Sequence, residues 1–298
     1  MDTLKQLSKG LKKLSFNNGL VTFHQITTVA KNYENNHEAQ LEAMKSCSDL
    51  SLDMAAFSCL CKLADLEGSH FDSEGNYSKT LTNLAEFMGG FFNRIPTTDI
   101  QPILSYIVNA SRDHNQFPLG YVVHLLLRTM SGWHDFVVDQ LKASQLDQLA
   151  AGYALLCEGR QESLNKNVKA LEALLTLFWS SDEQIGFRLM GQLAASAQWV
   201  ARRFDCEDLT LVSRQFDKTK VYFSHLVDTL HYLSSSEPAD QATKFALLLP
   251  EQAALRFASQ FRLPPPYIFK IMRSSLPQIY KQTPAQFEST VKTFWQVL

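Results

Sequence analysis

The sequence predicts an all-α protein, an α-solenoid built from antiparallel helix pairs with essentially no β-sheet. Apolar residues recur at steps of three and four along most of the 298 residues, the spacing that places side chains on one face of a helix. No segment alternates apolar and polar residues between hairpin turns, as a half-buried strand would. Helices of about 10 to 20 residues with short links then favour a stack of helix pairs.

Two helices and one sharp joint are clearest in residues 80–109. Pro96 ends the first helix because proline forces the residue before it out of the helical region, and Asp99 can cap the second helix. Gly89 and Gly90 each cost the first helix about 1 kcal/mol relative to alanine, so we expect a neighbouring helix to approach closely there. The apolar faces comprise Leu81, Leu84, Ala85, Met88 and Phe92, then Ile100, Ile103, Leu104, Ile107 and Val108.

The same pattern predicts helices on both sides of this pair. A turn is expected at residues 17–19, which are Asn-Asn-Gly. The further helices are predicted over 1–15, 20–33, 38–48, 52–66, 119–131, 133–142, 144–158, 164–178, 182–203, 217–234, 238–249, 251–261, 266–275 and from 284 onward.

The first of these helices is basic and amphipathic. Its leucine stripe is accompanied by four lysines, and we expect the leucines to pack on the next helix; a membrane-surface or nuclear-targeting role is the alternative. The stripe comprises Leu4, Leu7, Leu11 and Leu14, and the lysines are Lys5, Lys9, Lys12 and Lys13.

We predict one elongated helical-repeat domain over residues 1–298, with a softer division near 111–117 or 204–216. No exact repeat period is found, as in degenerate HEAT-like or MIF4G-like stacks. The five cysteines form an odd, scattered set, which fits a reducing compartment. The start lacks a secretory signal, and no apolar run approaches the roughly 20 residues that span a bilayer. We therefore expect a cytosolic or nuclear protein without a membrane partner.

Charge is distributed unevenly along the chain. The formal net charge is −2, which excludes polyanion binding by bulk charge. Residues 34–99 carry 11 acidic and 4 basic side chains, whereas residues 251–298 carry 6 basic and 2 acidic ones. Basic residues toward the C-terminus are therefore predicted to bind a partner, and a protein and a nucleic acid are both compatible with them. These residues are Arg202, Arg203, Arg214, Lys218, Arg262, Lys270 and Arg273.

No catalytic, cofactor or metal site is predicted. Cys59 and Cys61 are the one close cysteine pair, and no second pair accompanies them, so buried apolar cysteines are the better interpretation. His124 lies in an apolar helix and is expected to be a core or edge residue. Nucleophile-elbow, P-loop and dinucleotide motifs are absent. The Pro-Pro-Pro-Tyr run at 264–267 could bind a WW domain, but we expect a helix joint there.

Several stretches together resemble the family of the large scaffold subunit of the THO complex. The central one reads Asn83-Leu-Ala-x-Phe87-x-Gly89, followed by Phe92, Pro96, Asp99 and a Leu-x-Tyr that leads to Asn109. The resemblance continues in the same order on both sides and covers residues 20–275 approximately. The flanking stretches start at Met44, Gln145, Glu158, Asn165, Ala173, Leu189 and Pro250.

The resemblance implies a non-enzymatic helical scaffold of the nuclear machinery, called TREX, that couples transcription to mRNA export. In this family the middle region is MIF4G-like and contacts a DEAD-box RNA helicase, so other THO subunits and that helicase are the expected partners, with weak or indirect RNA contact. Family members are several times longer, which implies an excised segment or a reduced homologue. The alternative function is a helical-repeat RNA-binding protein or a MIF4G-type adaptor in translation or mRNA processing.

Overall fold

The computed structural model of the chain describes residues 2–66, 70–112, 118–131, 185–203 and 209–236, with single helical residues at 170, 174 and 259. Within these ranges all regular structure is helical apart from one isolated β-bridge between Phe71 and Tyr77. None of the described helices is long and apolar enough to cross a membrane. The predicted all-α class is therefore confirmed.

Eight α-helices and one short 3-10 helix make up the described ranges. They are α1 (Asp2–Asn32), the 3-10 helix (Glu34–Asn36), α2 (His37–Met44), α3 (Asp49–Ala64), α4 (Lys79–Arg94), α5 (Gln101–Ala110), α6 (Leu119–Ser131), α7 (Ile185–Arg203) and α8 (Leu209–Ser236).

Helix α4 lies at the centre of the core and packs on α1, α2, α3 and α6. Its predicted apolar face is fully buried, and Phe87 and Phe91 are buried as well. The hydroxyl of Ser78 caps its start by accepting a hydrogen bond from the Leu81 amide at 3.3 Å. As expected for a helix stopped by Pro96, α4 ends at Arg94. The sequence pattern of this segment therefore predicts both its bounds and its buried face.

A close approach between α4 and α6 explains Gly89. A Cβ atom on Gly89 would overlap Oγ1 of Thr129 and would lie 2.7 Å from the Thr129 Cβ. Asn93 Nδ2 donates to the Thr129 carbonyl at 3.1 Å, while Thr82 Oγ1 lies 3.3 Å from the Tyr121 hydroxyl. The starts and the ends of α4 and α6 therefore lie side by side, so the two helices run in the same direction.

The remaining contacts extend this arrangement into two layers. Helix α8 lies beside α6 in the same direction, since Tyr121 and His124 contact Tyr222 and His225 in that order. Helix α5 connects α4 to α6 along the chain. Helix α7 packs on both α5 and α8. Helices α4, α6 and α8 thus form one layer and α5 and α7 the other. This is the alternation of helices expected of an α-solenoid.

The leucine stripe of α1 is the main departure from the sequence prediction. The chain forms one helix over both predicted segments, with a kink at Asn18 (φ −150°, ψ 69°) where the turn was expected. Of the four leucines only Leu11 is buried, while Leu4, Leu7 and Leu14 are exposed. The prediction that the stripe packs on the next helix is therefore wrong for these three leucines.

Helix α8 begins at Leu209, eight residues before its predicted start at 217. Its first two turns contact the loop before α4, a tertiary contact that the local pattern does not reveal. Residues 209–216 are therefore helical, and the softer division near 204–216 stays a prediction. The single-domain assignment stays a prediction. The helices predicted over 133–178 and beyond 236, and the Pro-Pro-Pro-Tyr run, lie outside the described residues, apart from the single helical positions at 170, 174 and 259.

Replacing Gly89 with alanine tests the close approach of α4 and α6. We expect Gly89→Ala to lower the free energy of unfolding by about 1–3 kcal/mol, because overpacking forces Thr129 to move. Gly10→Ala is the matched control: nothing lies within 4 Å of a Cβ at Gly10, so it should stabilise the helix by up to about 1 kcal/mol. Chemical denaturation measures both. Equal stabilisation by the two substitutions would contradict the close approach.

Candidate interaction surface

Two of the seven predicted partner-binding residues are brought together on α8. Arg214 and Lys218 lie one turn apart and both face the loop of residues 70–78. Arg202 and Arg203 belong to the end of α7. The other three predicted residues, Arg262, Lys270 and Arg273, lie outside the described residues. The structure therefore places Arg214 and Lys218 beside each other, and the partner-binding role of all seven residues stays a prediction.

The loop of residues 70–78 is held in a closed conformation. Asp72 Oδ1 accepts hydrogen bonds from the amides of Glu74 at 2.9 Å and Asn76 at 2.8 Å. Gly75 adopts φ +76°, the left-handed region that favours glycine. A Cβ on Gly75 would also lie 2.7 Å from Cδ1 of Leu211 on α8. The backbone conformation favours glycine here, and the loop packs closely against Leu211 of α8.

Helix α8 binds this loop through polar contacts. Gln215 Nε2 donates to the Gly75 carbonyl at 2.7 Å, and Arg214 Nη1 donates to Asn76 Oδ1 at 3.4 Å. Lys218 Nζ lies 5.2 Å from the centre of the Tyr77 ring, a cation–π contact. We call Asp72, Asn76, Tyr77, Arg214 and Lys218 the loop–α8 surface. It joins segments that lie far apart in the sequence.

Two cations of α8 lie beside the loop in the loop–α8 surface. Burial lowers the pKa of Lys218, the nearby charge of Arg214 lowers it further, and Asp72 partly offsets both effects. Arg214 is exposed and Lys218 is half-buried. The loop itself carries the acidic side chains Asp72 and Glu74, and Glu74 accepts a hydrogen bond from the Asn76 side-chain amide, so the surface holds charges of both signs.

Tyr77 of this surface packs with two further tyrosines, Tyr121 of α6 and Tyr222 of α8. The rings of Tyr77 and Tyr121 stack with centroids 4.1 Å apart, and the Tyr222 ring lies 5.9 Å from that of Tyr121. Burial is the main cause that raises the pKa of both Tyr77 and Tyr222 above the ordinary tyrosine value. Sequence reasoning missed this cluster because each tyrosine belongs to a different helix or loop, and no local spacing links them.

A histidine pair joins α6 to α8 next to the tyrosines. Nδ1 of His124 lies 2.9 Å from Nδ1 of His225. One ring donates this hydrogen bond and the other accepts it, so only one of the two facing nitrogens carries a proton. His124 is half-buried in α6, as predicted for a core or edge residue. In the ranges that the structure describes, no group of three or more His, Cys, Asp or Glu side chains could hold a metal ion.

The two close cysteines of α3 differ in their burial. Cys59 is fully buried and Cys61 is half-buried, and both are free thiols. Burial raises the pKa of Cys59 to about 12. The interpretation of buried apolar cysteines is thus confirmed for Cys59, whereas Cys61 lies at the edge of the helix contact.

The thiol of Cys59 should be inert in the folded protein. At mildly alkaline pH its raised pKa keeps it protonated, and the thiolate is the reactive form. We expect Cys61 to be alkylated well before Cys59 when the folded chain is treated with iodoacetamide and the peptides are mapped by mass spectrometry. Unfolding the chain should make the two rates similar. Equal labelling of both cysteines in the folded state would contradict the burial of Cys59.

The tyrosine cluster predicts a loss of stability at alkaline pH. A raised folded-state pKa means that the stabilising contribution is complete below the ordinary tyrosine pKa of 10.0 and is lost as the pH rises above it. Tyr77→Phe should make the alkaline fall in the free energy of unfolding shallower. Tyr33→Phe is the control because Tyr33 is exposed, and it should leave the slope unchanged. The free energy of unfolding is measured by denaturation across pH for the unsubstituted chain and both variants. An equally steep alkaline fall in all three proteins would refute the prediction.

Comparison with known proteins relates the chain to one protein in several organisms. No family model matches the chain. THO complex subunit 2 of Arabidopsis thaliana is 23% identical over 255 residues, which cover 84% of this chain and 14% of that protein. THO complex subunit 2 of Homo sapiens and of Mus musculus are each 24% identical over 169 residues, 56% of this chain and 10% of theirs.

The chain therefore spans only 14% or less of the length of these curated relatives. Similarity over most of its own length nevertheless confirms the resemblance that the stretches between residues 20 and 275 indicate. The chain is a helical region similar to part of THO complex subunit 2.

Proposed function

We propose that the chain is a non-enzymatic helical scaffold that acts in mRNP assembly and nuclear mRNA export. The observation that carries this proposal is the similarity to THO complex subunit 2 over 84% of the chain. A scaffold with this role binds other subunits of the THO complex and works in the nucleus. The function rests on protein–protein contact and not on a chemical step.

The architecture supports a scaffold. A stack of helices whose neighbours contact one another presents a long, preorganised surface to folded partners. In the described residues the polar groups that converge, namely Arg214, Lys218 and the tyrosines beneath them, hold the loop of residues 70–78 against α8. They therefore serve packing and surface charge. Catalysis instead needs groups that converge on a site for a reacting atom.

A DEAD-box RNA helicase is the partner that we assign to the loop–α8 surface. The expectation comes from the MIF4G-like character that the resemblance implies for this region. The rim charge of Arg214 and Lys218 suits a folded partner with acidic groups. Direct RNA binding is the alternative for the same two cations, because phosphate and carboxylate groups are both anionic.

Crosslinked pull-down of the whole chain from nuclear extract tests the scaffold function. We expect other THO subunits and a DEAD-box RNA helicase to be recovered together. The absence of both would refute the proposed function. Recovery that depends on intact RNA, and that is lost after nuclease treatment, would instead support direct RNA binding, whose affinity should also fall steeply with salt.

Charge reversal tests the surface separately from the function. Arg214→Glu with Lys218→Glu should reduce helicase recovery about tenfold or more, since like charges at an interface cost several kcal/mol. Lys220→Glu is the control on the same helix, because Lys220 contacts Phe216 instead of the loop. Both variants should keep a cooperative thermal transition. Equal helicase recovery with both variants would show that the helicase binds elsewhere on the chain. That result would not contradict the proposed scaffold function.

A further inference from the structure

Four exposed lysines lie on the first half of α1 without a carboxylate partner. None of them takes part in an ion pair within the described residues. Other helical lysines have such a partner one turn away: Lys45 Nζ lies 2.6 Å from a Glu42 carboxylate oxygen, and Lys62 Nζ lies 3.7 Å from one of Asp65. The four lysines of α1 are Lys5, Lys9, Lys12 and Lys13. Their positive charge therefore faces solvent.

The sequence of α1 concentrates charge of one sign. Residues 3–33 contain five lysines and no aspartate or glutamate, whereas residues 34–99 carry 11 acidic and 4 basic side chains. Lys5, Lys9 and Lys13 are spaced four residues apart, a spacing at which like charges destabilise a helix. A ligand with several negative charges would relieve this repulsion.

The aspartates of the neighbouring helix do not offset this charge. Met54 of α3 lies against Gly19 of α1, so it marks the side of α3 that faces α1. Asp53 and Asp49 are exposed, and they lie about 100° and 140° from Met54 around the helix axis. The two carboxylates therefore project away from the contact with α1.

Phe16 places an exposed aromatic ring beside the lysines. It is 86% exposed, more than any other large apolar residue that the structure describes. Phe16 follows Lys12 by four residues and Lys13 by three, so the three side chains are neighbours on the helix surface. Buried Leu11 lies about 140° away around the helix axis. The ring therefore points to solvent among the lysines and not toward the core.

Lysines beside an exposed aromatic ring form the combination that binds single-stranded nucleic acid. Lysines contact the phosphates along the strand, and the ring stacks on a base. The spacing suits an extended ligand, since Lys5, Lys9 and Lys13 together span about 12 Å of helix. A small anion would contact only part of this length, so a strand with many phosphates fits better.

A membrane surface fits this side of α1 less well. Amphipathic helices bind lipid by burying a continuous apolar face. The exposed leucines in this half of α1 are Leu4, Leu7 and Leu14. All three lie within about 60° of buried Leu11 around the helix axis, so they share the core side of the helix. One phenylalanine would then have to anchor the lipid contact, and the observations favour a nucleic-acid strand.

We propose that the α1 lysine face, which comprises Lys5, Lys9, Lys12, Lys13 and Phe16, binds single-stranded RNA. The lysines pair with phosphates along the strand, and the Phe16 ring stacks on one base. The choice of RNA over DNA rests on the proposed function in mRNP assembly. The α1 lysine face shares no residue with the loop–α8 surface, so RNA binding and helicase binding are tested independently.

Fluorescence anisotropy of a labelled oligouridylate of about ten nucleotides tests the lysines. Four phosphate contacts should give a slope of about −3 when the logarithm of the association constant is plotted against that of the salt concentration. Lys9→Gln with Lys13→Gln should weaken binding and make this slope shallower by about 1.4, since each contact to a single strand contributes about 0.7. Lys79→Gln with Lys220→Gln is the matched control. It changes the net charge equally at exposed lysines elsewhere and should leave the slope unchanged.

Phe16→Leu tests base stacking separately from apolar contact. Leucine keeps an apolar surface but has no ring, so the affinity for the oligouridylate should fall about fivefold or more. Phe57→Leu is the matched control, because Phe57 is also exposed, on α3, and it should leave the affinity unchanged. Every variant should keep a cooperative thermal transition, which shows that it is folded.

The same measurements can overturn the proposal. Failure to bind the oligouridylate at low salt, binding indifferent to the lysine and Phe16 substitutions, or tighter binding to vesicles of anionic phospholipid would each do so. Equal affinity for a DNA strand of the same length would overturn the assignment to RNA. In the crosslinked pull-down after nuclease treatment, Lys9→Gln with Lys13→Gln should still recover THO subunits, so failure of RNA binding leaves the proposed scaffold function intact.

Discussion

The close approach of α4 and α6 at Gly89 is the contact on which the described fold depends. Residue 89 has no Cβ, so Thr129 can pack against the α4 backbone while its hydroxyl donates to the Leu125 carbonyl. This approach brings Asn93 within reach of the α6 backbone. Helix α4 also contacts α1, α2 and α3. A larger residue at position 89 would therefore push apart the two halves of the core that α4 joins.

The position of α6 in turn determines the polar contacts further along the chain. Tyr121 and His124 on α6 contact Tyr222 and His225 of α8. Helix α8 in turn holds the loop of residues 70–78 through hydrogen bonds from Gln215 and Arg214. The basic groups that we assign to partner binding are thus held by internal contacts on one side and exposed on the other. A scaffold surface that is ordered in advance loses less entropy on binding.

Local sequence patterns predict most of the described fold and little of the candidate surfaces. The bounds and buried face of α4 follow from apolar periodicity and from Pro96, and Gly89 correctly indicates a close helix contact. The early start of α8 and the tyrosine cluster depend on contacts between segments that are distant in the sequence, which periodicity does not encode. For α1, periodicity identifies an apolar stripe but does not reveal whether another helix covers it.

Native-state hydrogen exchange of α4 is the most direct test of this account. If α4 is the element on which the stack depends, its amides between Leu81 and Phe92 should exchange only through global unfolding and should be the slowest of the described helices. The first turns of α1, which have exposed leucines on one side, should exchange much faster. Exchange in α4 as fast as in the first turns of α1 would contradict the central role of the contact between α4 and α6.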